Sequence, residues 1–396
     1  MTNQFDLDDE QRQIQEMAKA FTASAITPHA AEWDEKHIFP REAIRSAAEL
    51  GFGSIYVSEE SGGIGLGRLE AALIMEAMAY GCPSTSAFIS IHNMASWMID
   101  RFGAQAVKDK YLPSMVTMER IGSYCLTEPG SGSDAAALKT RAVRDGGDYV
   151  VSGSKAFISG GGENEIYVCM VRTGVDGPKG ISCLVIEKDM PGVSFGAQEK
   201  KLGWHSQPTA QVNFDEVRVP AENLVGEEGK AWRYAKFLLV QERLIAAETG
   251  RIRHLLAGLR AVAATVQEAG RPLSRTPAFA ARIADIAIDL AALEAVCARL
   301  LAHADGDAPG GVEVNMLKIR SSELQQRVTE EMIRALGRLG IPFDPADLDA
   351  GATPPDHWPR GAAGMASEFM YLRAATIYGG SNEIQRGIIA KQGLGL

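Results

Sequence analysis

The residues best suited to chemistry begin with Tyr124-Cys125-Leu126-Thr127-Glu128-Pro129-Gly130-Ser131-Gly132-Ser133-Asp134, strand-like at first and then broken into Pro, Gly and Ser. A strand ending this way presents bare backbone N–H groups and small hydroxyls, which suit a large polar ligand lying close to the main chain. A bare Gly-Ser-Gly-Ser would be an ordinary turn. The whole string is more specific, and Gly153-Ser154-Lys155-Ala156-Phe157-Ile158-Ser159-Gly160 follows it. Near the C-terminus, Ile377-Tyr378-Gly379-Gly380-Ser381-Asn382-Glu383-Ile384-Gln385-Arg386 combines a Gly pair for a tight turn with Ser381 or Asn382 to cap the next helix. A carboxylate able to act as a base stands at Glu242, one helical turn from Leu238, Leu239, Ile245 and Ala246. Projecting from an apolar stripe, it would have a raised pKa, which suits a general base near neutral pH. An arbitrary helical Glu is more often a surface charge paired with Lys or Arg. Glu248 is a weaker candidate, because it points to a different face of the helix and has Arg251 to pair with. The seven histidines are scattered, and no HExxH, nucleophile elbow or Walker loop occurs, so no metal site is expected.

These residues need elements to hold them. From about Asp6 to Met118 the chain reads as helical. Pro40 opens a helix that Gly51 stops, and Leu69–Tyr80, Ser84–Phe102 and Ala104–Met118 read as three more, rich in Ala, Met and Ile. Gly62, Gly63, Gly65 and Gly67 read as a flexible connector. From Ser123 to about Val219, short runs of Val, Ile, Tyr and Phe alternate with turn residues, the pattern of an all-β domain. Helical periodicity then returns over Ala231–Val266, Pro277–His303, Val312–Leu339 and Ser381–Lys391. Gly340–Gly364, rich in Pro and Asp, reads as a long loop of the kind that carries function or sits at an interface. The expected division is residues 1–122, α-helical; 123–226, central β; and 227–396, a C-terminal helical bundle.

Composition limits the partners. A chain of 396 residues buries a large core, and 46% apolar with 23% charged residues is ordinary for a soluble globular protein. A net charge of -10 with no long basic block argues against nucleic acid or an anionic membrane as main partner. The five cysteines form no CxxC pair and read as reduced intracellular thiols. No apolar leader or membrane-length run is present, so cytoplasmic residence is the expectation.

The first and last strings resemble flavin-site loops of the acyl-CoA dehydrogenase family, and helices, β domain and bundle follow in that family's order. The resemblance runs from about Phe5 to the C-terminus. It is closest from Glu32-Trp33-Asp34 through Leu224, including Ser90-Ile91-His92-Asn93-Met94 and Lys200–Thr209, where it looks like the isobutyryl-CoA dehydrogenase branch. It implies an α+β acyl-CoA dehydrogenase fold with a β-barrel-like middle domain and a C-terminal four-helix bundle. It implies FAD as cofactor, with Tyr124, Leu126 and Thr127 along the flavin, Gly132 and Ser133 toward the phosphates and the CoA-bearing end of the substrate, and Ser381 and Glu383 touching FAD. Phe157 stands where the family often has Trp, against a flavin face, and Ser159 where it often has Thr, near N5.

Position 379, often the catalytic glutamate in the family, is glycine here, so only its N–H remains, to polarise the thioester carbonyl. Glu242 matches the alternative base position of the isovaleryl-CoA dehydrogenase type, with Arg243 beside it and Tyr378 next to Gly379 on the substrate side. The family's Arg-x-Gln-Phe-Gly and Gln-x-x-Gly-Gly-x-Gly-Tyr segments are replaced by Gly270-Arg271-Pro272-Leu273 and Ala335-Leu336-Gly337-Arg338-Leu339-Gly340. That resembles the branch of bacterial steroid side-chain and pimeloyl-CoA dehydrogenases, some built from two different subunits. The implied activity is α,β-dehydrogenation of an acyl-CoA to a trans-2-enoyl-CoA, with electrons leaving to an electron-transferring flavoprotein. The implied assembly is a homotetramer or dimer, homomeric unless a partner chain is supplied. The alternatives are a catalytically silent subunit or an acyl-CoA oxidase-type flavoenzyme.

Overall fold

Helix α1 (Asp9–Phe21) starts where its sequence says it should: the Asp8 carboxylate accepts from the Gln11 N–H at 2.8 Å, and the Gln11 side chain accepts from the Asp8 N–H at 3.2 Å. The computed structural model describes residues 7–245, 248–302, 311–340 and 365–396. Helices α2 (Ala30–Glu35), α3 (Arg41–Glu49), α4 (Arg68–Gly81), α5 (Pro83–Phe102) and α6 (Gln105–Val116) complete the first layer. Pro83 opens α5, where its missing N–H costs nothing. Ile44, Phe52, Ile74, Met78 and Ile89 form one core between these helices. The glycine-rich connector is not loose. Gly63 and Gly65 donate to the Ser58 and Val57 carbonyls at 3.0 and 2.9 Å, and Leu66 donates to Ile55 at 2.8 Å, so backbone bonds tie it down.

The middle of the chain is a seven-stranded curled sheet: β1 (Gly122–Cys125), β2 (Arg141–Asp145), β3 (Asp148–Ser159), β4 (Ile166–Arg172), β5 (Ile181–Glu187), β6 (Val193–Gln198) and β7 (Thr209–Pro220). β4 pairs along its whole length with antiparallel β5, in parallel with β1 over its first half, and with β2 at Arg172. β2, β3, β7 and β6 continue in antiparallel order. β4 is buried at every residue because its two faces meet different cores. Ile166, Val168 and Met170 pack on α5 and α6, while Tyr167, Cys169 and Val171 fill the curl of the sheet. This explains the unbroken apolar runs in the sequence.

Helices α7 (Ala231–Ile245), α8 (Thr249–Thr265), α9 (Pro277–Ala302) and α10 (Glu313–Leu336) form the bundle, followed by α11 (Met365–Tyr371) and α12 (Asn382–Ile388). Leu255, Leu259, Ile286, Leu317, Val328 and Met332 form its core. The single helix expected over Ala231–Val266 is in fact two. Glu248 has φ +44°, a left-handed conformation that cannot continue a right-handed helix. Of the long loop expected over Gly340–Gly364, residues 341–364 lie outside the described residues. No helix among the described residues is long and apolar enough to cross a membrane.

Candidate functional site

The β1 loop is built around a buried ion pair. The Glu128 carboxylate accepts from the Lys139 and Thr140 N–H groups at 2.6 and 2.9 Å and from Lys155 Nζ at 2.8 Å. Lys155 is wholly buried and also donates to the Leu126 carbonyl at 3.2 Å. Burial alone would raise the Glu128 carboxyl, but the Lys155 charge and these hydrogen bonds outweigh it and hold it below the ordinary range. The Ala156 N–H donates to the Thr127 carbonyl at 2.9 Å, so the loop is fastened to β3. At the other end of β1, the buried His92 Nε2 donates to the Met115 carbonyl at 2.9 Å, which leaves Nδ1 to accept from the Gly122 N–H at 2.9 Å. Burial pushes this imidazole down to about 4, so it stays neutral.

β3 then changes direction. Its register with β7 shifts between Lys155 and Ile158, and Phe157 within that bulge has φ +56° and is 66% exposed. Bulges re-aim side chains, and a non-glycine residue at positive φ costs on the order of 1–3 kcal/mol, strain that collects at functional sites. Two residues on, Ser159 Oγ accepts from Gln207 Nε2 at 2.9 Å.

The C-terminal turn closes the opposite side. Gly379 and Gly380 have φ +65° and +85°, conformations that glycine adopts without strain. Gln385 Nε2 donates to both their carbonyls at 3.2 Å. Ser381 caps α12, and the Asn382 side chain accepts from Lys318 Nζ at 2.8 Å. Behind this turn, Arg251, only 2% exposed, donates to Glu368 at 2.6 Å and to Glu248 at 3.3 Å. Its guanidinium lies 5.0 Å from the Trp204 ring, which stacks on Tyr371 at 4.7 Å. Burial raises the Glu248 carboxyl, and the Arg251 charge only partly opposes this.

These pieces enclose one cleft of about 2510 Å³. Tyr124, Leu126, Thr127, Gly132, Ser133, Phe157 and Ser159 line it from the sheet, and Tyr378, Gly379 and Ser381 from the C-terminal turn. Of the residues expected to touch FAD, Glu383 alone is not part of the lining; it is exposed on the first turn of α12. Glu242 and Arg243 fall within α7, but their side chains lie outside the described residues. The cleft also exposes Glu248, the weaker base candidate in the sequence, together with Trp204, Gln207 and Lys318, which sequence reasoning did not place there, although the Trp204 and Gln207 string was part of the resemblance.

The lining fits FAD. A Cβ at Gly132, which lines the cleft, would meet nothing within 4 Å, so a large ligand can approach the main chain closely there. Phe157 offers an uncovered aromatic face, and the Ser159 proton has no acceptor among the described residues.

Comparison with known proteins agrees with this geometry. Residues 8–119, 123–217 and 229–394 match the acyl-CoA dehydrogenase N-terminal, middle and C-terminal domains. The mitochondrial isobutyryl-CoA dehydrogenase of Dictyostelium discoideum is 45% identical over 338 residues, 84% of this chain and 81% of that protein. Its Bos taurus counterpart is 48% identical over 296 residues, 72% and 69% of the two chains. Butyryl-CoA dehydrogenase from Megasphaera elsdenii superposes with a TM-score of 0.87 at 27% identity, covering 99% of this chain and 100% of that one. PigA with FAD and proline superposes with a TM-score of 0.88 at 26% identity, covering 100% of each.

Proposed function

Because this chain belongs to the acyl-CoA dehydrogenase family, we propose that its cleft binds FAD and an acyl-CoA and that Glu242 is its general base. The protein is an oxidoreductase of the FAD-dependent acyl-CoA dehydrogenase type. The observation that carries the site assignment is the convergence of the β1 loop, the β3 bulge and the Gly379 turn on one cleft. Tyr124, Leu126, Thr127, Phe157 and Ser159 would hold the flavin, with the Ser159 hydroxyl toward N5, and Ser381 would contribute from the C-terminal side. Ser133 attends the CoA-bearing end. The Gly379 N–H donates to the thioester carbonyl and so acidifies the α-carbon, with Tyr378 beside it. Glu242, supported by Arg243, removes the α-proton. FAD supplies the acceptor for the β-hydride.

Glu248 is the rival base, since it too reaches the cleft. Its pairing with Arg251 favours a structural role. The absence of a carboxylate at Gly379 also keeps open the reading as a silent subunit of a heteromer. Domain boundaries at 122/123 and 226/227, a homotetramer or dimer, and an electron-transferring flavoprotein as acceptor belong to the same proposal. The deciding experiment is anaerobic flavin bleaching of the purified yellow protein against a panel of acyl-CoAs. Isobutyryl-CoA comes first, because the two relatives named above act on it by name. Bleaching by at least one acyl-CoA is expected; a protein that binds FAD and acyl-CoA but is bleached by none is the silent subunit.

A further inference from the structure

We propose that Gln207 is a positioning residue that makes the Ser159 hydroxyl a hydrogen-bond donor toward flavin N5. The inference rests on the reading that Ser159 faces N5. A hydroxyl has one proton to give and can accept two. The Gln207 Nε2 amide donates to Ser159 Oγ at 2.9 Å. The amide thus occupies one acceptor site, and the proton is left to point into the cleft, where both residues lie. Oxidised flavin N5 carries a lone pair and no proton, so a donor is what it needs. Bonds in a chain polarise one another, so a hydroxyl that already accepts from an amide is the stronger donor.

The scaffold around Gln207 is built to hold this direction. Gln207 is 7% exposed. Its main-chain carbonyl accepts from Lys201 Nζ at 2.5 Å, and the same ammonium donates to the Trp204 carbonyl at 2.6 Å and to Thr209 Oγ1 at 3.2 Å. The N-terminal domain clamps the same loop: Asp34 accepts from the His205 N–H at 2.6 Å and meets His205 Nδ1 at 3.1 Å, and His37 stacks on the His205 ring at 4.6 Å. Ser159 is fixed independently, because Ser123 Oγ donates to its carbonyl at 2.7 Å. The main chain at both residues is therefore held, and the amide–hydroxyl bond between them sets the direction of the Ser159 proton.

The test compares the affinity of apoprotein for FAD and for 5-deaza-FAD, which carries C–H in place of N5 and cannot accept the bond. The ratio reads the N5 contact without turnover. Wild type is expected to prefer FAD by about fivefold, the worth of one hydrogen bond. Ser159→Ala should bring the ratio to about one. Gln207→Glu reverses the local chemistry, because a carboxylate accepts the Ser159 proton and turns it away from N5. Its ratio should also fall to about one, and acidification, which returns a proton to the introduced carboxyl, should restore part of it. Gln207→Leu, which neither donates nor accepts, should give an intermediate ratio. A residue that only supported the loop would weaken both flavins equally and leave the ratio alone. If Ser159→Ala removes the preference while Gln207→Glu and Gln207→Leu keep it, the role of Gln207 is overturned and that of Ser159 stands. If Ser159→Ala keeps the preference, the placement of Ser159 falls and this inference with it.

Discussion

The two walls of the cleft are made differently. The sheet wall is held by polar bonds within the fold: Glu128 with Lys155, Ser159 with Gln207, His92 with Gly122. The helical wall is a set of departures from regular structure. A helix breaks at Glu248, two glycines turn at positive φ, and a buried arginine is shared between two carboxylates. The sheet wall positions hydroxyls and backbone N–H groups, tasks that need rigidity and little charge. On the proposed reading the helical wall presents a carboxylate to an acyl chain, a task that needs desolvation and can be met from more than one position. A base can therefore be absent from position 379 without disturbing the flavin side.

The sharpest way to break this comparison is to remove the proposed base. Glu242→Gln keeps size and loses the basic oxygen, and it should slow flavin reduction by roughly a hundred- to ten-thousand-fold in stopped flow, with FAD retained. A wild-type rate would move the base to Glu248 or to a partner chain.

On the sheet wall the large effect should be on stability. Lys155→Met leaves Glu128 buried without its counter-charge, which costs on the order of 3–5 kcal/mol in denaturant unfolding, with FAD lost as the loop frees itself. The pH dependence follows from the same pair. The Glu128 carboxyl is held below its unfolded value, so its contribution is complete above the ordinary carboxylate pKa of about 4.3 and is lost as pH falls through the lower folded value. Melting curves of wild type and Glu128→Gln should converge as the solution is acidified through that window. Curves that stay parallel would assign the stability to packing.

A smaller change is expected at the helix break. Glu248→Gln should leave flavin reduction within about tenfold of wild type, below the range a general base supplies. A larger fall would make the helical wall's ion cluster part of the chemistry.

The smallest effect is expected at Gly379→Ala. The new Cβ would meet only Lys318 Cε at 4.0 Å, so no clash arises, but φ +65° costs about 1 kcal/mol for a residue with a Cβ. Melting should shift by about one degree and reduction should persist, because the N–H remains. Loss of reduction with the fold intact would show that the turn's geometry, not only its N–H, matters.

The sequence by itself determined the order of the domains, the strands of the sheet and the chemistry-bearing strings, because each depends on local pattern. Alternating turn residues mark strands, Gly pairs mark tight turns, and the Thr127–Asp134 and Phe157–Ser159 strings carry their own chemistry wherever they fold. Glu128 was legible as part of a string but not as the carboxylate that Lys155 neutralises, because the pair joins the β1 loop to β3, a contact that only the folded chain makes. Gln207 was invisible as a partner of Ser159 for the same reason: they are 48 residues apart and meet only through the loop that Lys201 and Asp34 hold. The break at Glu248 ran against local propensity, since Ala246-Ala247-Glu248 is a run of good helix formers. The Glu248–Arg251 pair is local and was legible, but only the tertiary structure, which joins Arg251 to Glu368, shows that this carboxylate leaves the helix and reaches the cleft. Local pattern sets what each segment can do; burial and ion pairing between segments distant in sequence set which of those possibilities is realised.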